Sequence, residues 1–222
     1  MDYKNIMQTR HSVRAYIDKP IEGEISEKLI SFIEECNKES GLHMQLVLNE
    51  PKAFNSKMAH YGHFSGVKNY VALIGKKSPA LDELCGYYGE KVVLFAQDLG
   101  LNTCWVALTY KKIKSAFAIE KGEKLCVVIA IGYGSTQGVA HKSKAFDAVT
   151  DIEGDIPDWF KSGVSAALLA PTAMNQQKFT FGIRNGKVTA KSGLGFYTKM
   201  DLGIAKYHFE LGAGKENFEW QN

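Results

Sequence analysis

The sequence predicts an α+β protein in which helices flank a sheet and the order of elements repeats along the chain. Three observations predict it. Apolar residues recur every three or four positions at Ile25, Leu29, Phe32, Ile33 and Cys36, which is a helical face. Short apolar runs at Tyr70 to Ile74 and Leu125 to Ile131 have the length and β-branched content of buried strands. Asn185-Gly186 separates residues 178–183 from 187–190, and this dipeptide favours the left-handed conformations of a tight hairpin turn.

Residues 3–9 suit a short helix. Pro20 and Gly23 precede the helix over 24–38 and Gly41 follows it. Residues 42–48 read as a strand, and 50–66 as short pieces and loops. A nearly buried helix lies within 79–99, with Gly100 as its terminator. Cys104 and Trp105 fall where that helix meets a loop. Residues 111–118 suit a short amphipathic helix. A further helix starts at Pro157, capped by Asp155, and runs to about Leu169 before Pro171. The last is an amphipathic helix over 198–211, ended by Gly212.

An internal echo accompanies these elements. IEGEIS at 21–26 resembles IEGDIP at 152–157, and the helix ending QDLG at 97–100 resembles the one ending FELG at 209–212. Helix, strand and near-buried helix follow one another in both parts, as a divergent duplication would leave them. The first half then comprises residues 1–150 and the second, shorter half 151–222.

The 222 residues are 45% hydrophobic and 23% charged, the balance of an ordinary globular chain. No apolar tract reaches the length of a membrane span, and the first twenty residues have no signal-peptide core. The expected location is the cytoplasm. A net charge of +3, with only local clusters at Lys111, Lys112 and Lys114 and at Lys142 and Lys144, argues against nucleic acid as partner. The four cysteines include no CxxC pair and read as structural thiols. His60 and His63 have no neighbouring Cys or carboxylate pair, so no metal is expected. Neither GxSxG nor GxxxxGK[ST] occurs, nor a GxGxxG after the first strand.

Three stretches could carry chemistry. In RHSVR, an extended segment would turn Arg10, Ser12 and Arg14 to one side, where guanidinium forks and a hydroxyl suit an anion. His11 and Val13 would face elsewhere. Taken alone, the segment also fits surface arginines in an N-terminal arm. In APTAMNQQ, Ala170 to Gln177, amides and a hydroxyl follow a proline-set turn and suit the polar edge of a planar heterocycle. An ordinary helix-to-strand loop has the same composition. Gly132-Tyr133-Gly134 follows the strongest strand, where ligands of sheet proteins gather, and Lys142 and Lys144 come soon after. A solvated basic loop is the plainer reading.

Together these pieces resemble the nitroreductase family. The family's Arg-x-Ser-x-Arg segment holds the phosphate and ribityl chain of flavin mononucleotide (FMN). The resemblance gives that role to Arg10, Ser12 and Arg14, with His11 contributing through backbone or side chain. The family's helix with a glycine turn corresponds to Asp98 to Trp105. Its strand closing in Gly-Tyr corresponds to Ile131 to Tyr133, which adds Gly132 and Tyr133 to the implied site. Basic residues beyond that strand, here Lys142 and Lys144, reach toward the phosphate. The family's Pro-Ser-x-x-Asn-x-Gln-Pro segment lines the flavin. It carries over onto Pro171, Thr172, Ala173, Asn175 and Gln176, with Lys178 in place of the final proline.

Ordinary members place that segment after their first long helix, whereas here it follows the second. The arrangement resembles the thermophilic-type subgroup in which one chain mimics the family's dimer. The resemblance implies a nitroreductase-like fold with a central mixed or antiparallel sheet. It implies an internally duplicated pseudo-dimer with flavin in the seam between halves, able to pair further into a homo-oligomer. It also implies an FMN-dependent enzyme passing hydride from NAD(P)H to flavin N5, then to an electron-poor acceptor such as a nitroaromatic or quinone. A different flavin reaction, or a flavin-binding or sensing protein with little turnover, remains open. No catalytic side chain is implied.

Overall fold

A computed structural model describes residues 1–221. The helices are α1 (Tyr3–Thr9), α2 (Gly23–Ser40), α3 (Lys57–Tyr61), α4 (Leu81–Asp98), α5 (Asp158–Ala167) and α6 (Thr198–Ala213). The strands are β1 (Gln45–Val47), β2 (Tyr70–Lys76), β3 (Asn102–Val106), β4 (Glu123–Gly132), β5 (Thr150–Asp151), β6 (Phe179–Arg184) and β7 (Lys187–Ser192). The α+β class is as expected, but two sheets stand in place of one central sheet. Among the described residues, no helix is long and apolar enough to cross a membrane.

The chain forms two compact units, each drawn from separate stretches of sequence. One comprises Arg10–Leu81 and Lys91–Val139; the other comprises Met1–Thr9, Asp82–Glu90 and the chain from Ala140 onward.

The first unit holds a four-stranded antiparallel sheet in the order β1-β2-β4-β3. Strand alternation sends Tyr70, Ala72 and Ile74 of β2, Val128 and Ala130 of β4, and Cys104 and Val106 of β3 into one cluster. Val13, Phe54 and Phe64 join that cluster. The intervening Val71, Leu73, Val127 and Ile129 are buried as well, so β2 and β4 are covered on both faces. This explains their continuous apolar sequence.

Two expectations fail in this unit. Residues 102–106 form β3, from Asn102 opposite Gly132 to Val106 opposite Val128. NTCWV has too little apolar alternation to mark a strand, and pairing with β4 supplies its order. Residues 111–118 are not helical. Their backbone groups are taken by distant partners: Lys111 N–H donates to Ala53 O at 2.8 Å, and the Gln45 amide bonds both the N–H and the C=O of Ala118 at 2.9 and 2.8 Å. Of these groups, a helix over 111–118 would need the Ala118 N–H for its own bond to the carbonyl four residues back, and Gln45 holds it elsewhere.

The second unit holds a three-stranded mixed sheet, with β5 parallel to β6 and β6 antiparallel to β7. Asn185 and Gly186 have φ of 53° and 75°, the left-handed pair of the expected hairpin. Phe181 stacks on Phe209 at 4.7 Å, and Phe160, Phe218 and Trp220 complete an aromatic core. Helix α6 is buried on almost every side rather than amphipathic. It continues past Gly212, where a side chain would lie 2.6 Å from Ser162 O of α5. Gly214, at φ 77°, ends it instead. Pro157 stands at the N-cap of α5, not within its first turn, and no side chain caps that helix, so Asp155 does not.

None of the four cysteines is in a disulfide; Cys36, Cys85 and Cys104 are buried and Cys126 is half-buried.

Candidate functional site

The Arg10–Arg14 segment is extended and fixed by its backbone. Val13 N–H donates to Thr103 O of β3 at 3.0 Å, and Ser12 bridges Thr103 in parallel register. Ser65 N–H donates to Arg14 O, and Tyr16 N–H to Ser65 O, both at 3.0 Å. Ser135 N–H and Ile17 N–H close on Ala15 O and Tyr133 O, each at 2.9 Å. With the main chain committed to these partners, the side chains of even residues are left to face one environment.

That environment is the Cys104 thiol. Burial pushes this thiol above its ordinary value. The Arg14 charge, a hydrogen bond from Ser12 and the Arg10 charge pull it the other way, in that order. Ser12 is thus bonded to the Cys104 thiol, and the charges of both arginines act on it. Arg10 is buried, Ser12 half-buried and Arg14 exposed, with its guanidinium 5.9 Å from the centre of the Phe64 ring. Val13 lies in the core, and His11 turns toward the loop after β4. A side chain on Gly138 (φ 69°) would sit 2.8 Å from His11 Cβ, so only glycine lets that loop approach.

Gly132-Tyr133-Gly134 belongs to the same neighbourhood. Asn102 is 4% exposed; its Oδ1 accepts Gly134 N–H at 2.9 Å and its Nδ2 donates to Gln137 Oε1 at 3.1 Å. Tyr133 carries the Lys19 ammonium 3.9 Å above its ring. Asn102 was hidden from sequence reasoning because its strand was.

In the other unit, the Pro171–Gln177 segment and the two lysines form a second group. Pro171 is buried, Thr172 and Ala173 half-buried, and Asn175 exposed. Asn175 Nδ2 and Gln177 Nε2 both donate to Lys142 O at 2.8 Å. Gln177 Nε2 also donates to Asn175 Oδ1 at 2.7 Å, and Gln177 Oε1 accepts Lys144 N–H at 2.8 Å. Lys144 Nζ donates to Gln177 O at 3.0 Å. Gln177, 2% exposed, is thus the node that binds the two stretches together. The sequence offered two adjacent glutamines and no means of choosing between them.

Gln176 works differently. Its Nε2 donates to Asp201 Oδ2 at 2.7 Å and to Phe196 O at 2.8 Å, which occupies both protons. Asn175 and Gln176 were expected to offer amides to a heterocycle. Both protons of the Gln176 amide, and one of the Asn175 amide, bond inside the protein and shape the loop. That shape is uncommon: Met174, Asn175 and Gln177 have φ of 50°, 53° and 44°. Large apolar side chains project nearby, with Met174, Leu194 and Phe196 at 89%, 94% and 82% exposure.

A family model described as "Putative TM nitroreductase" matches residues 2–213. The chain belongs to the nitroreductase family. Among solved structures, a Thermotoga maritima protein described as a "putative nitroreductase" is 22% identical, with a TM-score of 0.68 over 99% of this chain and 87% of that one. An FMN-dependent nitroreductase of Clostridium difficile is 19% identical, with a TM-score of 0.51 over 62% of this chain and 90% of its own. A nitroreductase family protein of Streptococcus pneumoniae is 14% identical, with a TM-score of 0.54 over 67% and 98%. At these identities the likeness is one of fold. No curated protein matches the chain. Membership of this family makes an oxidoreductase role, of the flavin-dependent kind, the general setting for the site.

Proposed function

We propose that the chain is an FMN-dependent oxidoreductase that passes hydride from NAD(P)H, by way of flavin N5, to an electron-poor acceptor such as a nitroaromatic or quinone. The observation that carries this reading is the extended Arg10–Arg14 segment, pinned through its backbone to Thr103 and Ser65, with Ser12 and both arginine charges acting on the Cys104 thiol. Two permanent cations and a hydroxyl donor fit a phosphate dianion, and guanidinium bonds to phosphate oxygens are charge-assisted. Bound FMN would supply the redox chemistry. Arg14, exposed beside Phe64, would neutralise the phosphate. Arg10, from its buried position, would add charge without competing with water. Ser12 would donate from its hydroxyl.

His11, Gly132 and Tyr133 would border this group through the loop after β4. Lys142 and Lys144 add positive charge to the Pro171–Gln177 group. Thr172, Ala173, Asn175 and Gln176 would act mainly through the backbone they fix, since the amide nitrogens are already bonded.

The element order supports an ancestral duplication. Helix α2, the antiparallel pair β1 and β2, and helix α4 recur as α5, β6 with β7, and α6.

A flavin-binding or sensing role with little turnover is the second reading. It is favoured by the Gln176 amide nitrogen, both of whose protons are taken within the protein. Anaerobic titration of FMN-loaded protein with NADH and NADPH separates the two. Bleaching of the flavin absorption, and its return on adding a quinone or nitroaromatic, is expected of the enzyme. Flavin that stays oxidised under both nicotinamides would leave only the binding role.

A further inference from the structure

Asp201 is an acidic residue in the first turn of α6, yet only 3% of it is exposed. Both of its oxygens are used, and both by one loop. Oδ1 accepts Ala173 N–H at 2.9 Å, and Oδ2 accepts Gln176 Nε2 at 2.7 Å. The same Gln176 nitrogen donates to Phe196 O at 2.8 Å. One carboxylate therefore fastens the 172–177 loop directly. Through Gln176 it also fastens the loop that enters α6.

Neither loop would hold its shape unaided. Met174, Asn175, Gln177 and Tyr197 have positive φ, and each such residue costs roughly 1–2 kcal/mol relative to a right-handed conformation. Burying a carboxylate adds a desolvation cost. A loop serving only the core would not combine these penalties with Met174, Leu194 and Phe196 standing out in solvent. Strain held by a buried polar anchor is the signature of a backbone set in advance for a ligand.

We propose that Asp201 is a positioning residue for FMN, holding the 172–177 loop, and with it the Phe196 loop, in the conformation that meets the cofactor. This rests on the flavin reading above. Asp201 does not touch the cofactor; it acts through Ala173 and Gln176.

The test is FMN affinity, by quenching of flavin fluorescence, against the thermal midpoint of the FMN-free protein. Asp201→Asn keeps an acceptor for Ala173 N–H but turns an NH2 toward Gln176, so the second bond is lost. Its Kd should rise at least about tenfold while the FMN-free midpoint changes little. Gln176→Ala cuts the same link from the other side, should weaken FMN comparably, and should add little in the double variant. A Kd within twofold of the parent in both variants overturns the proposal, as does a lowered midpoint with unchanged affinity. If Asp201→Asn does not fold, Gln176→Ala decides by the same criterion. If the parent protein binds no FMN, the flavin reading has failed first, and the proposal falls with it.

Discussion

His208 Nε2 lies 2.9 Å from Glu90 Oε1, and neither side chain is exposed. The other ring nitrogen faces Ala166 O at 3.2 Å, so Nδ1 carries a proton there. Nε2 and the Glu90 carboxyl are joined by a hydrogen bond closed off from water. Removing a single partner strands a polar group in the core. Glu90→Ala should lower unfolding free energy by about 3–5 kcal/mol in urea denaturation, the scale for breaking a buried pair. Replacing both partners with apolar residues of similar volume should cost much less. Equal losses for single and double variants would contradict this account of the pair.

Glu123 is poised for acid sensitivity. Burial alone would raise its carboxyl, but the hydrogen bond with His43 at 3.0 Å, the Glu120 N–H and the charges of His43 and Lys76 outweigh it and lower the value. A depressed carboxyl stabilises the fold above its ordinary value of 4.5 and loses that contribution as pH falls through the folded value. Stability measured by urea denaturation should therefore decline below about pH 4.5, and Glu123→Gln should flatten that decline. An identical pH profile in the variant would remove Glu123 from the explanation.

Asp201 should show the opposite sign. Burial raises its carboxyl, and this prevails over the opposing bonds from Ala173 and Gln176. A raised folded value favours the fold in acid, and that contribution is lost as pH rises through it. The stability of the parent relative to Asp201→Asn should therefore increase as pH drops from 7 toward 4. A difference that stays constant or shrinks on acidification would show that protonation of Asp201 is not linked to folding.

Much of the fold was legible in local sequence because its signals are local. Helix α2 announces itself through Leu29, Ile33 and Cys36 on one face, β4 through its β-branched run, and the β6–β7 turn through Asn185-Gly186. Residues 102–106 and 111–118 were misread because distant partners decide them: β4 for Cys104 and Trp105, Gln45 and Ala53 for the later stretch. The burial of α6 depends likewise on what surrounds it. In the site, the chemistry of Arg10, Ser12 and Arg14 was visible in their types and spacing. Asn102, Gln177 and Asp201 were not, since each matters through hydrogen bonds to residues far away in sequence.

The central claim is that the Arg10–Arg14 segment binds FMN, and a fluorescence titration with FMN tests it most directly. Arg14 is the informative position, being exposed and therefore least able to disturb folding when removed. One FMN per chain should bind the parent. Arg14→Ala should raise Kd by about 10–100-fold, as expected for loss of a charge-assisted bond of roughly 1.5–3 kcal/mol. An Arg10→Ala/Arg14→Ala protein that still binds FMN as tightly as the parent would contradict the account.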